Sequence, residues 1–499
     1  MTTDTENIRL ILGLKIKQLR LERGLSQQEL SQRTGLANSY LNEIEKGKKY
    51  PKTNKMMAIA QALKTDYDSL VSLKLDKKLE PITELLNSRI LSELPLHMFG
   101  LEPATLLQLM SEAPAKLSAF VNTLIELARS YDMRIEQFYF SVLRTYQEMH
   151  DNYFPDLEEA AEQFLGQFLS GEKPASADQL RAVLIDQFGY RFHTFTQQSH
   201  PDIGSLRSVF VLHKDKQLWL NEQMTGQQLL FTLARECGYQ FMNSRERPLE
   251  SSVVEPESFE HTLNNFRASY FARAVLMPRQ ELIPETAAFF ARPTWSAQAL
   301  LELLESHYAT PEMFLLRLTS VLVHHFGLTK LFFLRLDHTI GDDKYHVVKE
   351  LRLNSPHSLP GPVLREHYCR RWVSVTILQE LSGQIHTHNW NGKPLVETQK
   401  WRYVGTENHY WVISLAKPSP PKLNVLSSVS LGIEINEKLK EYVRFLDDPQ
   451  IGQRDVGETC ERCPESPCAE RVNEPVVLQK EQRIKALKRT VEMLGKSTD

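Results

Sequence analysis

The most constraining stretch of this sequence lies near its start, where helix-forming patterns alternate with glycines. Apolar residues at positions 8, 12, 16 and 19 recur at helical spacing, and Gly24 follows them as a natural helix stop. Ser26 begins a second helix, because Glu29 three residues later completes a capping box, and Gly35 ends that helix at a tight turn. The pattern predicts a compact unit of short helices joined by glycine turns.

The segment after Gly35 predicts a third helix with a polar outer face. Leu41 and Ile44 fall on its inner side. The outward positions hold Asn38, Ser39, Tyr40, Asn42 and Glu43. A helix that reads the DNA major groove must fit the groove and present short donors and acceptors to base edges. The start of the second helix at Ser26 can also hold a DNA phosphate through its free backbone N–H groups.

Residues 23–51, RGLSQQELSQRTGLANSYLNEIEKGKKYP, closely resemble the lambda-repressor-like (XRE-type) helix-turn-helix family. The resemblance implies double-stranded DNA as a partner and a homodimer or higher homo-oligomer on paired half-sites. It implies DNA contacts by Gln27, Gln28, Asn38, Ser39 and Asn42. Ala37 departs from the family, which usually has a capping Ser or Thr there. Residues 1–70 carry twelve Lys and Arg against eight Asp and Glu, which suits attraction to phosphates.

Length and composition indicate several ordinary globular domains. At 499 residues the chain is too long for one core, and 41% hydrophobic with 24% charged residues leaves ample material for burial. No stretch of about 18 apolar residues without charge occurs. The N-terminus lacks the basic start and apolar run of a signal peptide. We therefore expect a cytoplasmic protein.

Residues 73–175 are predicted to form successive helices. Between Met133 and Met149, apolar residues recur at intervals of three and four. A helical linker between a head and a larger body is a common place for dimerisation, and simple core packing explains the same pattern equally well.

From about residue 176 the pattern changes to mixed strands and helices. Residues 208–213 and 217–220 predict a β-hairpin, and helices follow at 225–241 and 265–278. These two helices resemble the zinc-peptidase-like (IrrE-type) domain, whose H-E-x-x-H helix supplies two zinc ligands. The five positions here are Arg235-Glu236-Cys237-Gly238-Tyr239, and the third ligand falls near Arg267. Because arginine cannot coordinate zinc, we expect the fold without enzymatic activity.

A cleft of this kind without its metal can serve as an effector pocket. Four nearby side chains are candidates either for ligand contacts or for core and surface positions: Tyr239, Tyr270, Phe271 and Arg273. Arg317 and Arg335 lie in apolar segments and require an anionic partner, which is either a ligand or an internal salt bridge.

A cysteine pattern near the C-terminus points to metal chemistry. Cys460, Cys463 and Cys468 lie within nine residues, in a segment with two prolines that follows Gly457. Cys369 is the candidate fourth ligand. Four thiolates suit either tetrahedral zinc or a [4Fe–4S] cluster, and unliganded reduced thiols are the remaining alternative.

The order of these segments resembles the short-chain fatty acyl-CoA regulators, bacterial transcription factors of acetate and propionate metabolism. The resemblance implies an α+β multidomain chain with an all-α head (1–72), a helical linker (73–175), a degenerate IrrE-like domain (176–310) and a C-terminal α+β domain with the cysteine loop (311–499). It implies an acyl-CoA effector at or near Tyr270, Arg317 and Arg335. It also implies a [4Fe–4S] cluster, with zinc as the alternative, on Cys369, Cys460, Cys463 and Cys468.

Two other protein classes share parts of the pattern. An active IrrE-type metal-dependent protease of a stress response needs histidines where this sequence has Arg235 and Tyr239. An antitoxin of a toxin–antitoxin pair would share the head, but the long body and the cysteine loop exceed that role. The sequence predicts a regulator whose affinity for DNA changes with acyl-CoA, cluster state or both.

Overall fold

The computed structural model describes residues 2–72, 135–169, 175–250, 256, 258–354 and 366–496. These residues belong to two compact units, Met1–Tyr139 and Phe140–Asp499. The first unit holds the predicted head, and the second holds the strands and helices predicted for the body, so the α+β multidomain class is confirmed. Most of the predicted helical linker, residues 73–134, lies outside the described residues.

Five helices, the first much longer than the others, make up residues 2–72 of the first unit. They are α1 (Thr2–Glu22), α2 (Gln27–Thr34), α3 (Asn38–Glu45), α4 (Thr53–Ala62) and α5 (Tyr67–Val71). Gly24 and Gly35 adopt the left-handed backbone conformation, with φ of +65° and +68°, which glycine reaches without steric cost. One apolar core around Ile16, Leu30 and Leu41 joins the helices. The helix starts and stops predicted for this unit are confirmed.

The second unit begins within α6 (Ile135–Met149) and continues through α7 (Pro155–Phe168) and α8 (Ala177–Asp186). A three-stranded sheet follows in the order β1–β3–β2, with β1 parallel and β2 antiparallel to β3. Its strands are β1 (Tyr190–Phe195), β2 (Ser208–Leu212) and β3 (Lys216–Asn221). Then come the packed helices α9 (Gly226–Phe241) and α10 (Phe259–Leu276). The predicted hairpin and both predicted helices are confirmed.

A six-stranded sheet in the order β5–β4–β8–β7–β6–β9 forms the rest of the unit, antiparallel except for the pair β6–β9. The helices that precede it are α11 (Arg279–Phe290), α12 (Ala297–Ser306) and α13 (Pro311–Phe326). The strands are β4 (Leu331–Thr339), β5 (His346–Leu353), β6 (Leu395–Tyr403), β7 (His409–Ser419), β8 (Lys422–Glu434) and β9 (Gly452–Val456). The remaining helices are α14 (Val373–His386), α15 (Glu437–Tyr442) and α16 (Val476–Lys496).

The six-stranded sheet separates two apolar cores. Side chains alternate along β4, so Phe333 joins the core shared with α13, whereas Phe332 and Leu334 join the core covered by α14. The first core also takes in residues of α9 and α10, and it is continuous across the predicted domain boundary at residues 310 and 311. The sheet therefore presents one face to the IrrE-like helices and the other to α14.

Candidate functional site

Helices α2 and α3 form the helix-turn-helix predicted from the sequence. Ser26 Oγ accepts the N–H of Glu29 at 3.1 Å, and the Glu29 carboxylate accepts the N–H of Ser26 at 2.7 Å, which completes the capping box. Gly35 then ends α2. Ala37 is the N-cap of α3 and makes no side-chain cap bond, so the departure noted in the sequence removes one cap without removing the helix.

Helix α1 sets the position of α3. Arg20 binds Glu45 through two hydrogen bonds of 2.7 and 2.9 Å, and both side chains are buried. Gly13 lies against the end of α3, where a Cβ would overlap the carbonyl oxygen of Ile44. The absence of a side chain at Gly13 therefore lets the two helices approach closely.

All five predicted DNA contacts lie on α2 and α3, and they divide into two groups. Gln28, Asn38 and Ser39 are exposed. Gln27 and Asn42 are half-buried, and the Gln27 amide lies 3.4 Å from Asn42 Oδ1. Gln27 thus also connects the two helices.

Lysines after α3 extend this surface, and they were not among the residues predicted to contact DNA. Lys46, Lys48 and Lys52 are exposed. The Lys55 ammonium lies 4.2 Å from the ring centroid of Tyr40, a cation–π distance. Cations beside a helix that carries short polar side chains suit phosphate contacts, and the local excess of lysines was the sequence signal for them.

A cavity of about 300 Å³ lies in the second unit, bordered by α9, α10, α13 and the β7–β8 hairpin. Among its described lining residues Glu312 is the one carboxylate. Seven cationic side chains line it: Arg207, Arg235, Arg273, Arg335, Lys349, Lys417 and Lys422. Such an excess of positive charge in a concave site favours a ligand with several negative charges.

Glu312 compensates part of this charge. Its carboxylate accepts hydrogen bonds from Arg335 at 2.8 Å and from Lys349 at 3.1 Å, and Arg335 also binds Asp337 at 3.0 Å. Burial would raise the pKa of Glu312, but Lys349 and Arg335 hold that pKa far below its usual range. Glu312 is therefore a permanent anion of the cavity wall.

Two cations of the wall are less well compensated. Burial lowers the pKa of Arg273 to about 10. Burial and the neighbouring Arg207 together lower the pKa of Lys417 to about 8. Because desolvation destabilises the charged form of these groups, an anion bound beside them would stabilise it.

Tyr270 and Arg317, predicted with Arg335 at the effector site, lie in a separate buried cluster. Arg317 forms a two-point ion pair with Glu158, with Nη2 2.9 Å from Oε2. Arg317 also donates to the carbonyl of Met277 at 3.0 Å, and the Tyr270 hydroxyl donates to Glu158 at 2.7 Å. Of the three predicted residues Arg335 lines the cavity, whereas Arg317 has the internal salt bridge that the sequence left open.

Three of the residues at the H-E-x-x-H positions, and Arg267 near the predicted third-ligand position, have roles other than metal binding. Arg235 lines the cavity. Glu236 accepts two hydrogen bonds of 2.7 Å from Arg247, and this pair is buried. The Tyr239 hydroxyl donates to an asparagine of α10 at 3.0 Å, and Arg267 pairs with an aspartate of α7 at 3.0 Å. The glutamate that would act on a metal-bound water in a peptidase is held by an arginine.

The structure brings the four predicted cysteine ligands to one small pocket. The segment 457–471, here the thiol loop, supplies three of them, and the segment before α14 supplies the other: Cys369, Cys460, Cys463 and Cys468. The Cys460 N–H donates to the carbonyl of His367 at 2.8 Å, which joins the two segments. Arg471 donates to the carbonyls of Cys460 and Cys463 at 2.7 and 3.0 Å, which closes the loop.

The four thiols line this pocket together with Glu470 and Arg471. Within the described ranges, no three His, Cys, Asp or Glu side chains are arranged to hold a single metal ion. Burial raises the pKa of Cys369 to about 11 and also raises that of Cys463. Gly457 leaves room for the loop, since a Cβ there would lie 2.8 Å from Cys463 Sγ.

Alternate residues of strand β8 line the cavity on one face of the sheet and hold the start of α14 on the other. Ser427 and Val429 line the cavity. On the opposite face, Ser428 Oγ donates to the carbonyl of Ser374 at 2.7 Å, and Ser430 Oγ lies 2.7 Å from Ser374 Oγ. Ser374 lies in the first turn of α14, directly after the segment that carries Cys369.

The indole of Trp372 extends this connection to the thiol loop. Trp372 Nε1 donates to the carbonyl of Gly457 at 2.9 Å, and the Trp372 N–H donates to the carbonyl of Cys369 at 3.2 Å. The start of α14 is therefore bonded both to β8 and to the cysteine-bearing segments.

Comparison with known families matches two parts of the chain. Residues 16–70 match the helix-turn-helix family model, and residues 185–319 match the IrrE N-terminal-like domain. The second match includes α9 and α10, which border the cavity. Within the described residues, no helix is both long and apolar enough to cross a membrane.

Two individual proteins are similar to the chain. The uncharacterized HTH-type transcriptional regulator y4dJ of Sinorhizobium fredii is 33% identical over 66 residues, which make up 13% of this chain and 86% of that protein. A solved structure described as a Mycobacterium tuberculosis transcriptional regulator aligns with a TM-score of 0.48 and 17% identity, over 67% of this chain and 93% of that one.

Proposed function

The chain belongs to the helix-turn-helix transcriptional regulators, and from this premise we propose that it is a sensor whose DNA binding responds to a short-chain acyl-CoA. The observation that carries the proposal is the cation-rich cavity, with seven cationic side chains and one carboxylate among its described walls. Coenzyme A carries a diphosphate and a further phosphate, and charge-assisted hydrogen bonds from Arg and Lys suit these groups.

The cavity also offers apolar surface for a short acyl chain. Phe231, Leu316, Leu415 and Val429 lie in its wall, near the cations. The resemblance of the sequence to the short-chain fatty acyl-CoA regulators points to a short acyl group. We propose acetate- or propionate-derived thioesters as the effector class.

The IrrE-like domain is proposed to act as a binding module without peptidase activity. A zinc peptidase needs two imidazoles one helical turn apart and a glutamate that can reach the metal-bound water. Here Arg235 faces the cavity, and Glu236 is paired with Arg247. An active metal-dependent protease is the second candidate, and it would require zinc to bind at Glu236 in spite of this pair.

The thiol loop is proposed to hold a [4Fe–4S] cluster on Cys369, Cys460, Cys463 and Cys468. Zinc ligands all lie about 2.3 Å from one ion, whereas the cysteines of such a cluster bind separate irons and stand farther apart. Four thiols around one pocket, together with the family resemblance of the sequence, support the cluster, and zinc is the alternative. A bound cluster would supply redox sensitivity, and Arg471 would hold the loop carbonyls in place around it.

The effector can alter DNA affinity only if it binds one arrangement of the protein better than another. We propose a homodimer with two arrangements, of which one fits paired half-sites. A ligand that stabilises this arrangement raises the affinity for DNA, and a ligand that stabilises the other arrangement lowers it. The chain's own part is to bind phosphates through cavity cations such as Lys417 and to place α3 through the Arg20–Glu45 pair.

The test uses the full-length protein and DNA sites selected from a random library. Fluorescence anisotropy measures DNA affinity with acetyl-CoA, propionyl-CoA or free coenzyme A present. We expect an acyl-CoA to change the affinity at least about fivefold, and equal affinity under all conditions would refute the proposal. A Gln28→Ala/Asn38→Ala variant is the control, because it should lose DNA affinity while its binding of acyl-CoA, measured by calorimetry, is unchanged.

A separate measurement addresses the cluster. Protein purified without oxygen should show a broad absorption band near about 400 nm and contain iron and sulfide. A colourless protein that contains zinc would remove the cluster and leave the zinc alternative.

A further inference from the structure

The last helix of the chain, α16, exposes an apolar stripe to solvent. It comprises 21 residues, which corresponds to a length of about 31 Å. Every described side chain from 479 to 494 is exposed. Ile484, Leu487 and Val491 are 44%, 59% and 68% exposed. Because isolated helices of this length are only marginally stable in water, burial of the stripe against a partner would stabilise α16 considerably.

The stripe has the spacing of a coiled coil. Val477, Ile484 and Val491 repeat at intervals of seven, and Lys480, Leu487 and Leu494 repeat three residues after them. These are the a and d positions of a heptad repeat, and such a seam packs against a second helix with the same period. We infer that α16 pairs with α16 of a second copy of this chain, and that the two helices run antiparallel.

Charges next to the stripe argue against the parallel arrangement. In a parallel pair, equivalent d positions face each other, so Lys480 would face Lys480 of the other copy. The g and e positions also meet, and these are Arg483 and Lys488. Each of these contacts joins two positive charges and is unfavourable.

The antiparallel arrangement removes both conflicts. When the a positions face d positions of the other copy, Ile484 lies opposite Leu487, and Lys480 lies opposite Val491. The e positions then flank each other, so Glu481 meets Lys488 of the other copy, and symmetry produces this contact twice. The apolar stripes overlap over their full length, and the flanking charges are complementary.

The pairing would also fix the two thiol loops relative to each other. The N–H groups of Val477 and Leu478 donate to the carbonyl of Glu461 at 3.1 and 3.2 Å, so the first turn of α16 is bonded to the thiol loop. In the antiparallel register the two copies of Val477 stand about 26 Å apart along the helix axis. The two loops would therefore lie at opposite ends of the helix pair.

Cysteine crosslinking tests the register locally. Ile484→Cys and Leu487→Cys chains, each full length, are co-expressed with different tags and mildly oxidised, with the wild-type chain as the background control for its native thiols. We expect a disulfide between the two different variants, because these positions face each other, and little crosslinking in either variant alone. Efficient crosslinking of each variant with itself would indicate a parallel pair and overturn the inference, as would no crosslinking in any combination.

Charge exchange supplies an independent test in the same crosslinking assay. Lys488→Glu on both partners should slow crosslinking about tenfold, because two attractions become two repulsions. Lys488→Glu on one partner with Glu481→Lys on the other should restore the rate. Arg489→Glu is the matched control, since it makes the same charge change on the outer face and should have little effect. Faster crosslinking with Lys488→Glu on both partners would contradict the antiparallel register.

Phosphatidylglycerol vesicles provide the competing outcome. The helix carries six Lys and Arg against two Glu, which is also compatible with an anionic lipid surface. Loss of all specific crosslinking together with sedimentation of the chain on such vesicles would assign α16 to a membrane surface and overturn the inference.

Discussion

Two groups of buried charges in the second unit differ in their balance. Arg317 binds Glu158, and the two side chains are almost completely buried together. The cavity instead collects seven cations around Glu312. The pair satisfies its own charges and holds α7 to α13, whereas the cavity keeps an excess that an external anion can neutralise. An arginine in apolar surroundings therefore indicates a ligand site only where the local charges do not already balance.

Breaking the balanced pair should have the largest effect. Glu158→Gln leaves the Arg317 guanidinium buried without its counter-charge, and we expect a loss of about 3 to 5 kcal/mol in the free energy of unfolding. Urea denaturation followed by circular dichroism measures this. A loss below about 1 kcal/mol would show that the pair does not hold α7 and α13 together.

Removing an uncompensated cation should weaken ligand binding without lowering stability. Lys417→Met deletes a charge whose desolvation opposes folding, so we expect the free energy of unfolding at neutral pH to rise above the wild-type value. We expect the affinity for propionyl-CoA, measured by calorimetry, to fall roughly tenfold. Lys438→Met on α15, whose lysine is exposed beside Glu441, is the control and should leave both quantities unchanged. Normal binding of propionyl-CoA by Lys417→Met would show that Lys417 does not contact the ligand.

The same lysine predicts a proton linkage. Since the pKa of Lys417 is about 8 in the folded chain and that of an unfolded lysine is 10.5, the ligand-free protein should gain stability as the pH rises from about 8 to about 10.5. An anionic ligand restores the charged form, so binding at about pH 8 should take up a fraction of a proton. Calorimetry in two buffers of different ionisation enthalpy measures the uptake. Lys417→Met should abolish it, and an uptake that persists in this variant would point to another group.

A solvent-accessible ion pair should show the smallest change in the free energy of unfolding, and it provides a reference for the buried pair. Asp156 binds Arg267 at 3.0 Å, but Asp156 is exposed to solvent and Arg267 is only half-buried. Asp156→Ala should change the free energy of unfolding by less than about 0.5 kcal/mol. A loss comparable to that of Glu158→Gln would mean that burial does not distinguish these ion pairs.

The parts of the molecule that the sequence predicted correctly depend on short-range signals. Ser26, Glu29 and Gly35 specify the start and end of α2 within ten residues, and such caps act through local backbone bonds. The cysteine spacing likewise placed three thiols on one loop. Cys369 was the candidate fourth ligand although it lies far from the loop in sequence, and the structure places it at the same pocket.

The parts that the sequence did not specify depend on partners far along the chain. Glu158 lies 159 residues before Arg317, and no local pattern links them. The sequence alone therefore does not indicate that Arg317 and Tyr270 contact a carboxylate of the chain instead of a ligand. The cavity cations come from several separate helices and strands. The stripe on α16 has helical spacing in the sequence, but its exposure to solvent is visible only in the folded chain.

The two faces of β8 have a consequence for how such a protein can evolve. Ser427 belongs to the cavity, and its neighbour Ser428 holds the start of α14 beside Cys369. Successive residues of a strand cannot shift independently. Substitutions at Ser427 or Val429 that reshape the cavity are therefore also expected to shift the start of α14 beside Cys369.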